Sequence, residues 1–170
     1  MRFIFRSGLS FVVIGAALFF SGCGKKESSP LASGTVVQNP AVETQLFGFI
    51  GDGPYAVVKA DALPGYYSAF RDQLFKEGVV KWDARFDCNH FASYYVAKAQ
   101  TGYYLANFHS STTAQTLALA EVWYRPGGGT KGHAIVAAQT DRGLLFIEPQ
   151  TGGTLTLSAV ERASVFLVKW

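Results

Sequence analysis

The chain has little cysteine: two residues in 170, Cys23 and Cys88. Exported proteins normally pair their thiols, because the compartment outside the cytoplasm is oxidising. Cys23 closes a segment that has the features of an export signal, so a lipid attached to its sulfur would leave Cys88 without an intramolecular partner. A free thiol in that setting favours a reactive nucleophile over a buried, inert cysteine, which is the alternative.

The chain also lacks an apolar run long enough to cross a membrane. Its longest charge-free apolar run covers residues 9–20, which is short of the roughly 20 residues that a spanning helix needs. Arg2 and Arg6 precede this run, and Ser21-Gly22-Cys23 follows it. A positive start, an apolar centre and small residues at a cleavage point are typical of a signal peptide.

Small residues leading directly into Cys23 resemble a bacterial lipoprotein signal. The resemblance implies that residues 1–22 are removed and that Cys23 carries the lipid anchor. Gly24 after the cysteine implies sorting to the outer membrane, facing the periplasm, whereas Phe20 departs from the Leu that such signals usually carry. An ordinary secreted protein cleaved at a different point is the alternative.

Charge and repetition are scarce as well. The formal net charge is only +3, and no basic run with interleaved aromatic residues occurs, which excludes a nucleic-acid-binding protein. No internal repeat is present. Residues 23–40 are rich in Gly, Ser, Pro and Lys without apolar periodicity, so they predict a flexible tether. Residues 41–170 are enough for one domain with its own core.

Two helices followed by strands are predicted within that domain. Apolar residues at helical spacing predict a helix over 67–79, and Asp87 is a candidate N-cap for a second helix over 88–100. Alternating segments separated by turn signals predict strands over 120–125, 132–139, 144–148, 154–157 and 165–169. This order predicts an α+β fold in which N-terminal helices pack on a C-terminal antiparallel meander.

The second predicted helix places Cys88 in its first turn. Free backbone N–H groups and the positive end of the helix dipole stabilise a thiolate there and provide donors for a developing oxyanion. Asp87 opposes this effect unless its carboxylate turns away to cap the helix. His90 lies about 200° around the helix from Cys88 and does not face it. His109 falls in a polar stretch typical of a loop.

The hairpin around 140–143 is predicted to bring an imidazole and a carboxylate together. An even-length turn pairs Gln139 with Leu144, so His133 and Glu148 fall on one face of the sheet as diagonal neighbours. A carboxylate beside an imidazole orients it and stabilises its charged form, as in a nucleophile–base–acid triad. A three-residue loop would instead send Glu148 to the opposite face.

The order Cys, His, acid resembles the papain-like cysteine hydrolases. The segments FDCNHFA at 86–92, GHAI at 132–135 and LFIEPQ at 145–150 are most similar to the cysteine-peptidase domain of the Marasmius agglutinin family and its bacterial relatives. The similarity covers about 82–151. It implies a papain-like domain with Cys88 as nucleophile, His133 as base and then acid, and Glu148 as the orienting residue. Gln150 and Asn89 are the supporting or oxyanion candidates.

The chain departs from that family in two respects. Acidic residues tend to follow the cysteine of the family, whose fungal members depend on calcium, but Asn89 and His90 stand at these positions here. No metal ligand or other cofactor is therefore assigned, and calcium is the one cofactor that the resemblance brings in. The resemblance does not extend to the sugar-binding domain of that family, so no lectin function is expected from it.

The sequence thus predicts a membrane-anchored thiol hydrolase of the cell envelope that cleaves amide or peptide bonds. Its expected substrates are a peptide, a protein or a cell-wall peptide, and nucleic acid is not expected as a partner. Three alternatives stay open. They are a peptidoglycan amidase or endopeptidase of the NlpC/P60 type, a transglutaminase-like acyl transferase, and a non-catalytic envelope lipoprotein that acts as a binding module.

Overall fold

The computed structural model describes residues 34–37, 48–49, 54–110 and 113–170. Cys23, the predicted signal peptide and most of the predicted tether lie outside these ranges, so the predictions made for them stay predictions. No helix among the described residues combines the length and the apolar character that a membrane span requires.

The helices begin where local sequence favours a helix start. Helix α1 covers Leu63–Lys76 with a proline in its first turn, where the missing N–H costs nothing. Helix α2 covers Cys88–Asn107 and begins with a capping box formed by Asp87 and His90. Its start agrees with the sequence analysis, but it runs well beyond residue 100. Helix α3 is a short element, Ala159–Ala163.

Most strands belong to one sheet whose order is β2-β9-β5-β6-β7-β8. All pairings in it are antiparallel except that of β2 with β9. A second, smaller sheet has the order β1-β3-β4. The strands are β1 Val36–Val37, β2 Gly48–Phe49, β3 Tyr55–Ala56, β4 Thr116–Leu117, β5 Leu119–Tyr124, β6 His133–Thr140, β7 Gly143–Ile147, β8 Thr154–Leu155 and β9 Leu167–Lys169.

The α+β prediction is confirmed, and the meander is confirmed for β5 to β8. The last strand departs from it: β9 does not pair with β8 but returns to β5, with Val168 opposite Val122. Both valines are fully buried. Helix α3 lies between β8 and β9 in the chain, and the return lets the apolar β9 pair inside the sheet rather than at the edge beside the two-residue β8.

A short strand lies within the range predicted as a tether, 23–40. Val36 and Val37 form β1 and pair antiparallel with Ala56 and Tyr55. The main chain of Val57 extends this pairing through hydrogen bonds with 34 and 35. Two consecutive β-branched residues fit a strand when a strand edge is available to pair with.

The large sheet is covered by apolar side chains on both faces, and alternation along β6 assigns each residue to one of them. On one face, which we call the helix face, Ala134, Val136 and Ala138 pack with buried residues of α1 and α2. On the other, the far face, Ile135 and Ala137 pack with β5, β9 and Leu157. The buried stripe of α2 consists of Phe91, Ala92, Tyr95 and Ala99.

Candidate functional site

The β6–β7 hairpin has the register that the sequence predicts. Gln139 pairs with Leu144, and Thr140 pairs with Gly143 around a two-residue turn. This register brings His133 and Glu148 together, with Nε2 of the imidazole 2.7 Å from Oε2 of the carboxylate. Their side chains are 25% and 19% exposed. The pair is partly shielded from water, so its electrostatic coupling is stronger than that of a surface pair.

The turn that follows β7 holds the Glu148 carboxylate in place. Its second oxygen, Oε1, accepts a hydrogen bond of 3.1 Å from the backbone N–H of Gln150. The backbone of Glu148 also accepts from Gly152 N–H at 2.7 Å and donates to Gly153 O at 2.8 Å. Gln150, predicted as a supporting residue, contacts Glu148 through its main chain, and its side chain makes no hydrogen bond in the described part of the protein.

Two tyrosines flank the carboxylate. Tyr67 of α1 donates to the backbone oxygen of Gln150 at 3.3 Å. Its pKa is raised, mainly by burial; Arg71 lowers it and Glu148 raises it. Tyr124 stands edge-on to the His133 ring, with 5.9 Å between centroids. Burial is also the main cause that raises the pKa of Tyr124, followed by the charges of Glu161 and Glu148.

Cys88 is the first residue of α2 and is a partly buried free thiol. Its backbone N–H, one of the unpaired donors at a helix start, has no acceptor among the described residues. The Asp87 carboxylate is turned into the capping box, where His90 Nδ1 lies 2.8 Å from Oδ1. The hydrogen bond from His90 is the main cause that lowers the pKa of Asp87. As predicted, His90 does not serve the thiol: it stacks on Phe86.

Two hydrogen bonds show which end of the sheet the start of α2 approaches. Gln100 of α2 donates to Leu117 O at 3.0 Å, before β5, and Ser93 donates to Glu121 within β5 at 2.5 Å. Earlier residues of α2 therefore lie beside later residues of β5. Tyr124 ends β5 and pairs with His133. The Cys88 end of α2 accordingly lies toward the end of the sheet that carries His133.

The thiol and the imidazole are nevertheless not bonded in this structure. The residues after His133 alternate from the helix face at Ala134, and the His133 ring contacts Tyr124, which packs on the far face. No hydrogen bond between Cys88 and His133 exists in the described structure. Two of the three predicted triad members are thus in contact, and the third lies toward the same end of the sheet. Nδ1 of His133 makes no hydrogen bond to the described residues.

Asn89, the other supporting candidate, makes no contact with the His133–Glu148 pair through a hydrogen bond. Its Oδ1 atom is buried and has no hydrogen-bond partner among the described residues. An amide oxygen accepts and does not donate, so any role toward an oxyanion would fall to the Nδ2 group. The supporting or oxyanion role of Asn89 stays a prediction.

A buried carboxylate that the sequence analysis missed joins α2 to the sheet. Glu121 is 6% exposed. Its two oxygens accept hydrogen bonds from Ser93 Oγ at 2.5 Å and from Trp123 Nε1 at 2.6 Å. The only signal in the sequence is a single acidic residue inside an otherwise apolar strand, LAEVWY. Such a residue needs hydrogen-bond partners. Trp123 lies two residues away in the same strand, whereas Ser93 lies 28 residues earlier in the chain, in α2.

The described residues do not fit the calcium ion that the family resemblance implies. No group of three or more His, Cys, Asp or Glu side chains comes together within the part of the chain that the structure describes. Calcium in proteins takes six to eight oxygen ligands, several of them carboxylates. Neither Asn89 nor His90 provides a carboxylate at the start of α2. No chemistry is therefore assigned to a metal.

Solved structures resemble this fold, although no protein-family model and no curated protein sequence matches the chain. A structure of Polyporus squamosus lectin bound to a human-type influenza-binding epitope matches with a TM-score of 0.53 and 19% identity. A structure described as a PSL1a–E64 complex matches with a TM-score of 0.55 and 18% identity. The matches cover 74% and 78% of this chain but 42% and 45% of the other chains. The chain thus shares a fold with less than half the length of these proteins.

Proposed function

We propose that the protein is a thiol hydrolase that cleaves amide or peptide bonds with Cys88, His133 and Glu148. The observation that carries the proposal is the 2.7 Å contact between His133 Nε2 and Glu148 Oε2. It occupies one ring nitrogen with a carboxylate and leaves Nδ1 available to a thiol. Cys88, the only free cysteine described, begins the helix whose first turn lies toward this end of the sheet.

The proposed reaction uses these groups in two steps. Nδ1 of His133 takes the thiol proton, and Sγ of Cys88 bonds to the substrate carbonyl carbon. The C–N bond then breaks as the imidazolium gives that proton to the leaving amine. A water molecule next loses a proton to His133, its oxygen bonds to the acyl carbon, and the C–S bond breaks to restore the thiol. The Glu148 carboxylate stabilises the imidazolium.

The proposal requires Cys88 Sγ and His133 Nδ1 to come within hydrogen-bond distance when a substrate is bound. Contacts between catalytic groups are often long without substrate and shorten in the reacting complex. The lipid anchor at Cys23 and a location in the outer membrane, facing the periplasm, belong to the same proposal. In that location both cell-wall peptide and protein are accessible as substrates.

The test is the rate at which iodoacetamide labels Cys88 in the full chain as pH is varied. Fast labelling well below pH ~8.5, where a free cysteine thiol titrates, is expected, and His133→Ala should abolish it. His109→Ala is the matched control, and Cys88→Ser accounts for labelling at Cys23. Slow labelling with an ordinary thiol profile in all variants would refute the proposal.

E64 provides a second test, because one structural neighbour is described as a complex with it. It is an epoxide, and a thiolate opens an epoxide to form a stable thioether. We expect one E64 molecule to add to Cys88, as measured by intact mass. The addition should disappear in Cys88→Ser and slow in His133→Ala.

A binding module without catalysis is the second candidate, and the comparison favours it over a hydrolase. One neighbour is named as a lectin and is described with a bound carbohydrate epitope. The absence of a Cys88–His133 hydrogen bond in the described structure agrees with this candidate. Two results together would establish it. The wild-type and Cys88→Ser chains would bind the same glycans on an array, and Cys88 of the wild-type chain would show no fast labelling.

A further inference from the structure

The loop between β5 and β6 forms an open pocket directly beside the His133–Glu148 pair. The pocket has a volume of about 530 Å³. Three of its six lining residues are glycine or proline, and one is a lysine. The lining residues are Pro126, Gly129, Thr130, Lys131, Gly132 and His133.

The loop is held at both ends, so the pocket does not depend on a substrate to form it. Near its start, the backbone N–H of Gly127 donates to Glu161 Oε1 of α3 at 3.1 Å. At its end, Gly132 lies against the Phe166 ring, where an added Cβ would stand 3.2 Å from Cζ. The Phe166 ring also carries the Arg125 guanidinium at 5.0 Å from its centroid.

Three consecutive residues that line the pocket carry backbone donors without an acceptor among the described residues. The backbone N–H groups of Thr130, Lys131 and Gly132 donate to nothing in the described part of the protein. The Lys131 ammonium is exposed and forms no ion pair with the described residues. Consecutive free N–H groups in a bent loop, together with a cation, form an anion-binding concavity.

The neighbouring carboxylates are already engaged. Glu148 holds His133 and the N–H of Gln150, and Glu161 holds Ser158 and Gly127. A monoanion suits this environment better than a phosphate dianion, because only one lysine lines the pocket and two carboxylates stand close by. A planar carboxylate also accepts two N–H donors at once.

We propose that this pocket binds a carboxylate of the substrate, close to the amide bond that reacts beside His133. The carboxylate belongs either to the C-terminus of a peptide or to an acidic side chain. That the bound molecule is a substrate depends on the proposed function. The binding of the carboxylate is measured without catalysis.

The experiment is an NMR titration of the full chain with three peptides. They are N-acetyl-trialanine with a free C-terminus, its C-terminal amide, and an amide in which the central alanine is glutamate. We expect the amide resonances of 130–132 to shift with the free acid or with the glutamate peptide, and whichever acid binds identifies the source of the carboxylate. The neutral amide should leave them unchanged.

Lys131→Met should weaken the binding of the acid about tenfold, as loss of one charged hydrogen bond predicts. Lys81→Met, at another exposed lysine, is the control and should have no effect. Equal binding of acid and amide, no shift with any peptide, or equal affinities of the two lysine variants would overturn the inference. Stronger binding of inorganic phosphate than of acetate at the same resonances would overturn the carboxylate assignment.

Cys88 labelling is measured on the same samples, so the two proposals fail separately. Carboxylate binding with an inert thiol supports the pocket and refutes the hydrolase. An activated thiol without carboxylate binding does the reverse.

Discussion

The imidazole of His133 and the carboxylate of Glu148 meet across two neighbouring strands, with 2.7 Å between Nε2 and Oε2. Glu148 is itself fixed by the N–H of Gln150 at 3.1 Å. The carboxylate is therefore positioned by its own turn and in turn positions the ring. This chain of contacts fixes the orientation of the ring, so that Nδ1 points in one direction.

Replacing Glu148 with Gln should reduce the reactivity of Cys88 without unfolding the protein. The amide keeps the shape of the side chain but removes the charge that stabilises an imidazolium, so any Cys88–His133 ion pair becomes less populated. We expect alkylation below pH ~7 to slow by on the order of 10- to 100-fold. Asp72→Asn, at an exposed acidic residue of α1, is the control. An unchanged rate of Cys88 alkylation in Glu148→Gln would show that the carboxylate does not influence the reactivity of the thiol.

Replacing Gly152 with Ala should destabilise the fold. Gly152 has a φ of +77°, and an added Cβ would lie 2.5 Å from the Tyr67 ring, so the turn and α1 would have to separate. We expect a loss of about 1–3 kcal/mol in the free energy of unfolding, measured by urea denaturation. Gly102→Ala, in α2 with nothing within 4 Å, should instead stabilise by about 0.5–1 kcal/mol. A neutral Gly152→Ala would contradict the close approach.

Replacing Ser93 with Ala should destabilise the attachment of α2 to the sheet. The change removes one of the two donors to the buried Glu121 carboxylate. A buried acceptor left without its donor costs about 1–3 kcal/mol, again measured by urea denaturation. Thr101→Ala, an exposed hydroxyl that bonds to its own helix, is the control and should change stability by less than about 0.5 kcal/mol. Equal effects of the two variants would show that water replaces Ser93.

Replacing Asp87 with Ala should remove a pH-dependent part of the stability. The pKa of Asp87 is lowered in the folded protein, first by its hydrogen bond to His90. Its contribution is therefore present above the unfolded pKa of about 4 and is lost as pH falls through the folded value. Loss of the cap should cost about 0.5–2 kcal/mol at neutral pH. Thermal unfolding followed from neutral to acidic pH should show the wild type and variant converging at low pH; parallel curves would contradict this.

Local pattern was sufficient for the hairpin and for the start of the main helix. The two-residue turn at 141–142 follows from the alternation on either side of it, and it carries the His133–Glu148 contact with it. The cap at Asp87 is a feature of four consecutive residues. Both predictions succeed because the interacting groups lie close in the chain, where turn geometry and helix geometry leave few alternatives.

Contacts between distant segments could not be predicted in the same way. The return of β9 to β5, the Ser93–Glu121 bond and the packing of Tyr67 over Gly152 each join residues far apart in the chain. Such contacts depend on how the helices and the sheet pack as whole layers. An isolated acid in a strand or a tyrosine on a helix gives no indication of its partner.

The placement of Cys88 relative to His133 shows both limits together. Residue types and spacing establish a thiol at a helix start and an imidazole paired with a carboxylate at a strand start. Whether these two groups touch depends on the face of the sheet toward which His133 turns and on how far α2 extends along β5. Alternation determines faces only within a hairpin, so the relation between helix and strand is a property of the packed protein.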